Sequence, residues 1–333
     1  MKFKGIYFLV FIVLSNTSLY AQNGDTLRII KFDGSLKTKF EYATETSKSR
    51  FSVRNSRMGI SGSPFKSVSY RVQVELSNQG KFEVLDLSAT IEPFKNLTFT
   101  LGQTSIPLYN SYQTTPSQML FANRSFHVKY FVPGTRDIGL SGHYTTLVYG
   151  VPLDLKAGIF NASKINDPVW TEKISWGMSV TAGQMRGLRA SAKIYRYPAG
   201  ERDLFVWGGD VRYGGDRYKL EAEFLSRKNL FDNQILNSAS LQGAYSFPLK
   251  NTRIFKDITP ALRWDMMGRT DNDNLIDAGR ITAGLSFGFD TKPFSSLLRI
   301  DFEKYTVNRM LPELNLYEEM DSDKLTIELL IVF

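Results

Sequence analysis

The sequence predicts an all-β protein, a transmembrane up-and-down antiparallel β-barrel of about sixteen strands. Three observations carry this expectation. Apolar and polar residues alternate with period two in segment after segment, each about ten residues long, the length a tilted strand needs to cross a bilayer. The connections alternate between long and short, so a meander would carry long loops on one side and tight turns, with both termini, on the other. The last alternating run, Leu325, Ile327, Leu329, Ile331 and Phe333, ends on an aromatic residue.

Taken in order, residues 1–21 read as a secretory signal: Lys2 and Lys4 precede an apolar stretch from Gly5 to Leu14, which is too short to span a bilayer as a helix. Residues 22–34 form a lead-in and residues 35–333 the barrel. The clearest strand interleaves Val68, Tyr70, Val72, Val74 and Leu76 with Ser69, Arg71, Gln73, Glu75 and Ser77, one set for each face. The same template places strands near 35–43, 50–61, 67–77, 83–93, 96–103, 135–149, 152–160, 173–183, 187–197, 203–214, 217–227, 237–248, 257–268, 278–290, 296–306 and 323–333. Aromatic residues cluster near strand ends, Tyr42, Phe94, Tyr144, Phe160, Tyr197, Phe205, Tyr213, Phe247, Phe289 and Tyr305 among them, as interfacial girdles do. One short-side connection, 249–256, is longer than the alternation wants.

The connection after the fifth strand, 104–134, stands apart. It runs for 31 residues without an acidic side chain, and from Pro93 to Arg136 every formal charge is positive. Long connections in compact domains are functional or disordered. This one is rich in Tyr, Phe, Leu and Met, which disordered segments lack, so it is expected to fold back into the barrel.

Composition narrows the partners. The formal charge of +8 falls to +6 without Lys2 and Lys4, which is ordinary for a surface, and an exported chain is a poor partner for nucleic acid. With no cysteine, stability rests on the hydrogen-bond ladder and on packing. A hydrophobic content of 42% suits a barrel with one apolar and one polar face. Of the two histidines, His143 lies beside Ser141 on one strand face, and alternate positions on a strand do not make a catalytic triad, so no enzyme is expected. Asp271, Asp273 and Asp277 fail the calcium-loop spacing because Leu275 and Ile276 stand where Asp or Asn and Gly are needed. No metal or cofactor is expected.

Three stretches, 50–62 (RFSVRNSRMGISG), 101–125 (LGQTSIPLYNSYQTTPSQMLFANRS) and 133–142 (PGTRDIGLSG), resemble the phosphate-selective porins of the O and P type, in a form common among Bacteroidetes. The resemblance implies a sixteen-stranded trimeric barrel of the outer membrane whose long loop after the fifth strand folds inward as a constriction. It also implies small anions, phosphate among them, as solutes. Phe333 resembles the terminal residue read by the barrel-assembly machinery.

With apolar parity facing lipid, the lumen receives nine bases: Arg71, Lys156, Arg189, Lys193, Arg212, Lys219, Arg263, Arg280 and Arg299. It receives eleven acids: Glu75, Asp86, Glu92, Asp154, Asp210, Glu221, Glu223, Asp265, Asp301, Glu303 and Glu328. That balance is no anion ladder, and selectivity is expected to come from the acid-free loop. Arg124 and Lys129 are placed at the narrowest section, with Arg71, Arg57 and Arg54 along the anion path; the alternative for Arg124 is to anchor the loop on a lumenal carboxylate. Arg54 and Arg57 have ambiguous parity, since Phe51 and Val53 argue for one register and Met58 and Ile60 for another, with a bulge between them. Arg136 is expected to pair with Asp137 or the loop. Tyr109 and Tyr112 are expected to pack the loop on the wall, the alternative being a stacking surface for sugars. The reading is therefore an outer-membrane porin for small hydrophilic solutes, in contact with membrane lipid, with mild anion preference. The alternatives are a nonspecific or sugar-selective pore, an outer-membrane binding protein or a barrel enzyme.

Overall fold

A computed structural model describes residues 30–78, 81–163, 165–184, 186–200, 202–250, 252–270, 276–311 and 323–333. The expected signal, with Asp271 and Asp273, lies outside the described residues. The strands are β1 (Lys31–Ala43), β2 (Lys48–Val53), β3 (Ser56–Phe65), β4 (Val68–Asn78), β5 (Lys81–Phe94) and β6 (Leu97–Ser105). After the long loop come β7 (Arg136–Val148), β8 (Val151–Phe160), β9 (Ser175–Gly183), β10 (Gly187–Ala199), β11 (Arg202–Gly214) and β12 (Tyr218–Asn229). The last are β13 (Ile235–Tyr245), β14 (Phe247–Pro248), β15 (Asp257–Arg269), β16 (Ala278–Gly288), β17 (Leu297–Val307) and β18 (Lys324–Val332).

All pairings are antiparallel between neighbours, and β18 returns to β1 from Ser35↔Val332 to Ala43↔Lys324, so the sheet closes on itself. The eighteen segments make sixteen wall strands, because β13 and β14 lie end to end along β15 and β2 and β3 lie end to end along β1. The sixteen expected positions are all occupied, with β1 starting at Lys31, ahead of residue 35. Closure removes the free edges that would otherwise leave backbone groups unpaired in lipid.

The break between β2 and β3 resolves the ambiguous parity. Asn55 takes a left-handed φ of 58° and its N–H donates to Glu75 Oε1 at 2.8 Å. The extra residue lets Phe51 and Val53 face outward on one side of the break and Met58 on the other. Ser56 Oγ bridges Lys37, accepting from its N–H at 2.9 Å and donating to its C=O at 3.2 Å, where the ladder is interrupted.

Outward faces carry cross-strand aromatic pairs, Trp176 with Phe205 (centroids 6.4 Å apart) toward one rim and stacked Tyr213 and Tyr218 (5.1 Å) toward the other. Three residues expected in the girdles sit elsewhere: Phe160 and Tyr197 are buried inside the barrel, and Tyr305 packs against that core. Their strand parity turns them toward the lumen, where the loop covers them.

The closing seam is tight at Gly34. Its N–H donates to Phe333 O at 2.8 Å, Phe333 N–H donates back at 3.1 Å, and a Cβ added to Gly34 would stand 2.4 Å from Phe333 Cζ and 2.9 Å from the Arg57 carbonyl oxygen. Gly34→Val is therefore expected to lower the yield of folded barrel, measured by heat-modifiable gel mobility after refolding. A cost of roughly 1–3 kcal/mol follows from such overpacking, and an unchanged yield would show that the seam can spread.

Candidate functional site

The loop that opens after β6 lies within the barrel. It has only two short helices, α1 (Ser111–Thr114) and α2 (Phe126–Tyr130), so most of its backbone N–H and C=O groups need partners outside regular structure. The wall supplies them. Carboxylates accept from loop N–H groups: Asp301 Oδ2 from Ala122 at 2.7 Å and Asp265 Oδ1 from Phe126 at 3.2 Å. Cations donate to loop carbonyls: Lys37 to Ala122 (2.8 Å), Arg263 to Asn123 (2.8 Å), Arg280 to Arg124 (2.7 Å) and Arg299 to Met119 (2.9 Å). Arg227 spans the carbonyls of Tyr130 and Phe131, each at 3.1 Å.

Apolar packing reinforces these clamps. Ile106, Leu108, Phe126, Phe131 and Val132 of the loop form one core with inward wall residues such as Phe160, Tyr195, Val206 and Leu225. Burying a side chain of this size contributes roughly 1.5–3 kcal/mol. Phe121 and Phe126 also lie under the guanidinium groups of Arg263 and Arg280, each 4.7 Å from the ring centroid.

The clamps sort the lumenal charges. Eight of the eleven expected lumenal acids are buried, Asp210, Glu221, Glu223, Asp265, Asp301, Glu303 and Glu328 along the later strands and Glu75 beside Arg57. Four of the nine bases, Lys193, Arg263, Arg280 and Arg299, are buried with them. What stays at least partly exposed is Arg71, Lys156, Arg189, Arg212 and Lys219 against Asp86, Asp154 and Glu92. Glu92 stands near the terminal-side end of β5, and Asp86 and Asp154 are paired, with Arg136 at 2.7 Å and Arg189 at 2.5 Å. Nine bases against eleven acids thus become five bases against three acids in the accessible lumen, one of the five, Arg71, being paired with Asp33.

The predicted anion-path residues come together in part. Arg57 is 4% exposed, its Nε stands 3.9 Å from Glu75 Oε2, and its Nε and Nη2 make no hydrogen bond among the described residues. Arg124, half-buried on the loop, feels Arg136 and Arg54 as like charges and Glu75 as an opposite one. Burial, with repulsion from Arg136, lowers its pKa. Arg71 is bound through both terminal nitrogens to Asp33, Nη2 lying 2.8 Å from Oδ1. Lys129 is exposed on α2, 5.2 Å above the Tyr130 ring.

One expected pairing is corrected. Arg136 joins neither Asp137 nor the loop but reaches Asp86 and Gln73 Oε1 (3.3 Å), because at the first position of β7 it can swing past its strand parity into the lumen. Asp137 holds the connection between β8 and β9 instead, accepting from Ser163 N–H and Oγ and from Ser175 Oγ at 3.3–3.4 Å. Tyr109 donates to the His127 carbonyl at 3.2 Å, and burial with nearby Glu223 raises its pKa. Tyr112 lies below Lys219 (5.0 Å) and Arg212 (5.5 Å).

Sequence reasoning missed the clamps as such. It placed Arg263, Arg280, Arg299, Asp301 and Glu303 in the lumen but read them as channel charges, and it overlooked Lys37 and Lys39. Like or opposite charges at i and i+2 on the later strands, Glu221 with Glu223 and Asp301 with Glu303, were the available signal. His127 was missed too: Ser125 Oγ and Glu223 Oε2 both meet its Nε2, at 3.2 and 3.1 Å, and its Nδ1 is without a partner among the described residues. A nucleophile relay needs the two groups on opposite ring nitrogens.

Residues 26–200 match the family of phosphate-selective porins O and P. The chain belongs to that family. The porin also resembles solved barrels: Salmonella typhi OmpF in complex with daunomycin at TM-score 0.65 and 12% identity, covering 92% of this chain and 100% of that one. The outer membrane channel DcaP of Acinetobacter baumannii aligns at TM-score 0.59 and 12% identity over 95% of this chain and 100% of that one. OmpT of Vibrio cholerae aligns at TM-score 0.63 and 12% identity over 93% and 99%. At such identities the likeness concerns the fold. No curated protein matches the chain. The porin is a barrel of the outer membrane.

Proposed function

We propose that this porin passes small anions, phosphate included, by diffusion along the wall not covered by the loop, and that Arg124 with Arg54, Arg57 and Arg136 forms the selective section. The observation that supports this is the sorting of charge. Eight of the eleven lumenal carboxylates are buried, five of them accepting hydrogen bonds from the loop, while Arg57, Arg124 and Arg136 gather near Glu75 and Asp86. Charges in such a section act in a lower effective dielectric than at the rim and set which ion enters. Lys129 stands apart from the cluster in this reading, and Arg71, neutralised by Asp33, contributes shape more than field.

Reconstituted in a planar bilayer under a KCl gradient, the porin is expected to give an anion-directed reversal potential, and added phosphate is expected to reduce chloride current by occupying the cluster. Cation-directed current would overturn the reading, and anion current untouched by phosphate would leave a general anion pore. The family also carries homotrimeric assembly, with Phe333 as the terminal residue met by the assembly machinery; the native mass of the same reconstituted sample checks the trimer.

A further inference from the structure

The connection 249–256 is long for the side of the barrel that holds the termini, and its fold explains why. Leu249 N–H donates to Lys256 O and Lys256 N–H to Gly288 O, both at 2.8 Å, so the turn is pinned at its base. Lys256 Nζ reaches back to the carbonyls of Thr252 and Arg253 at 3.3 and 3.5 Å. The turn folds outward. Phe255 packs on Phe287 and Phe289, with ring centroids 5.3 and 5.4 Å apart, and Phe287 is on the lipid-facing parity of β16 with Ile281 and Leu285. Ile254 beside it is 60% exposed, and the outward pair Tyr245 and Phe247 (4.7 Å) flanks it on β13 and β14. The neighbouring turn does the opposite, sending Phe294 to the core under the loop.

Charge follows the same direction. From Ser246 to Lys256 the chain has no acidic residue and three bases, Lys250, Arg253 and Lys256. Lys250 and Arg253 are exposed and pair with no carboxylate among the described residues. Arg217 is adjacent, its carbonyl accepting from Ser246 N–H at 2.7 Å. Of the nearby acids, Asp257 is buried, accepts from Thr259 Oγ1 at 3.2 Å and faces Arg217, Asp216 is paired with Arg186 at 2.7 Å, and Asp290 lies past Phe289.

An aromatic ring on the lipid-facing wall, an exposed Ile at its side and uncompensated bases around them match the strata of a membrane interface, where rings sit at headgroup level and cations meet anionic headgroups. We propose that the 249–256 turn is a foot that binds the phosphate headgroups of anionic phospholipid in the leaflet on the side of the termini. The bases take the phosphate, and Ile254 and Phe255 seat the acyl boundary. The inference rests on the outer-membrane barrel and not on anion selectivity in the lumen.

The test measures retained lipid, so a failure of the conductance reading leaves it intact. The full-length porin is purified in detergent with equimolar phosphatidylglycerol and phosphatidylcholine, and the lipid kept after washing is counted by mass spectrometry. The wild type is expected to enrich phosphatidylglycerol by roughly fivefold or more, with the enrichment lost in high salt. In Lys250→Gln/Arg253→Gln/Lys256→Gln the ratio is expected to fall to that supplied, with heat-modifiable mobility and conductance unchanged. Equal retention of the two lipids by the wild type, or full enrichment in the triple variant, overturns the proposal. Ile254→Ser with Phe255→Ser gives a second arm: total retained lipid is expected to fall, and an unchanged total would remove the apolar seat from the proposal.

Discussion

Arg124→Glu is expected to convert an anion-directed reversal potential into a cation-directed one. The side chain lies among Arg54, Arg57 and Arg136, and the substitution replaces one of four cations with an anion while leaving Glu75 and Asp86 in place. Two unit charges about 6 Å apart at an effective dielectric near 20 interact by roughly 3 kcal/mol. Even with half of that lost to screening, the permeability ratio is expected to move by about tenfold. Lys129→Glu serves as the comparison: it adds an acid to the same loop at an exposed site, so its effect is expected to be much smaller. Equal effects from the two variants would mean that the net charge of the loop, and not the cluster at Arg124, selects the ion. The Arg124 carbonyl stays with Arg280 in either variant, so the loop itself is expected to keep its place.

Arg280→Ala is expected to free the loop. This guanidinium meets Asp265 at 3.0 Å, Glu303 at 3.1 Å and the Arg124 carbonyl at 2.7 Å, and it covers the Phe126 ring. Removing it takes one cation from two buried carboxylates, leaving Asp265 with Arg263 at 3.0 Å and Glu303 with Arg263 at 3.5 Å and Lys324 at 3.8 Å. The cost is therefore expected at the low end of the about 3–5 kcal/mol typical of a broken buried pair. The barrel ladder does not depend on the contact, so the cost should appear as release of the loop: larger and noisier single-channel current, weaker ion preference, and new protease cleavage between residues 104 and 134. Arg280→Met, which keeps volume without charge, leaves the same carboxylates short of one cation and is expected to behave like the alanine variant. Wild-type conductance with an intact loop would show that the apolar core around Phe131 and Leu108 holds it alone.

These two results would separate the roles of the lumenal charges, which sequence parity alone merges. Alternation along β4, β5 and β12 is legible because a strand of a closed barrel has one face in lipid and one in the lumen, and the period is fixed by backbone geometry. It gave Arg280, Arg299 and Asp301 the correct face. It could not say that they hold a loop, because a clamp is defined by contact between residues such as Arg280 and Arg124 that are 156 positions apart. For the same reason Arg136 was set on the wrong partner: parity describes strand interiors, and a long side chain at a strand end can turn either way.

The sequence by itself determined the barrel, its sixteen crossings, the position of the inserted loop and the loop's lack of acid, since each follows from local periodicity or composition. Only the tertiary structure decided which charges remain in water. Burial of eight lumenal acids, five of them hydrogen-bonded to a loop that has few backbone partners of its own, is a property of the closed fold, because unpaired N–H and C=O groups inside the barrel had to be met by the wall.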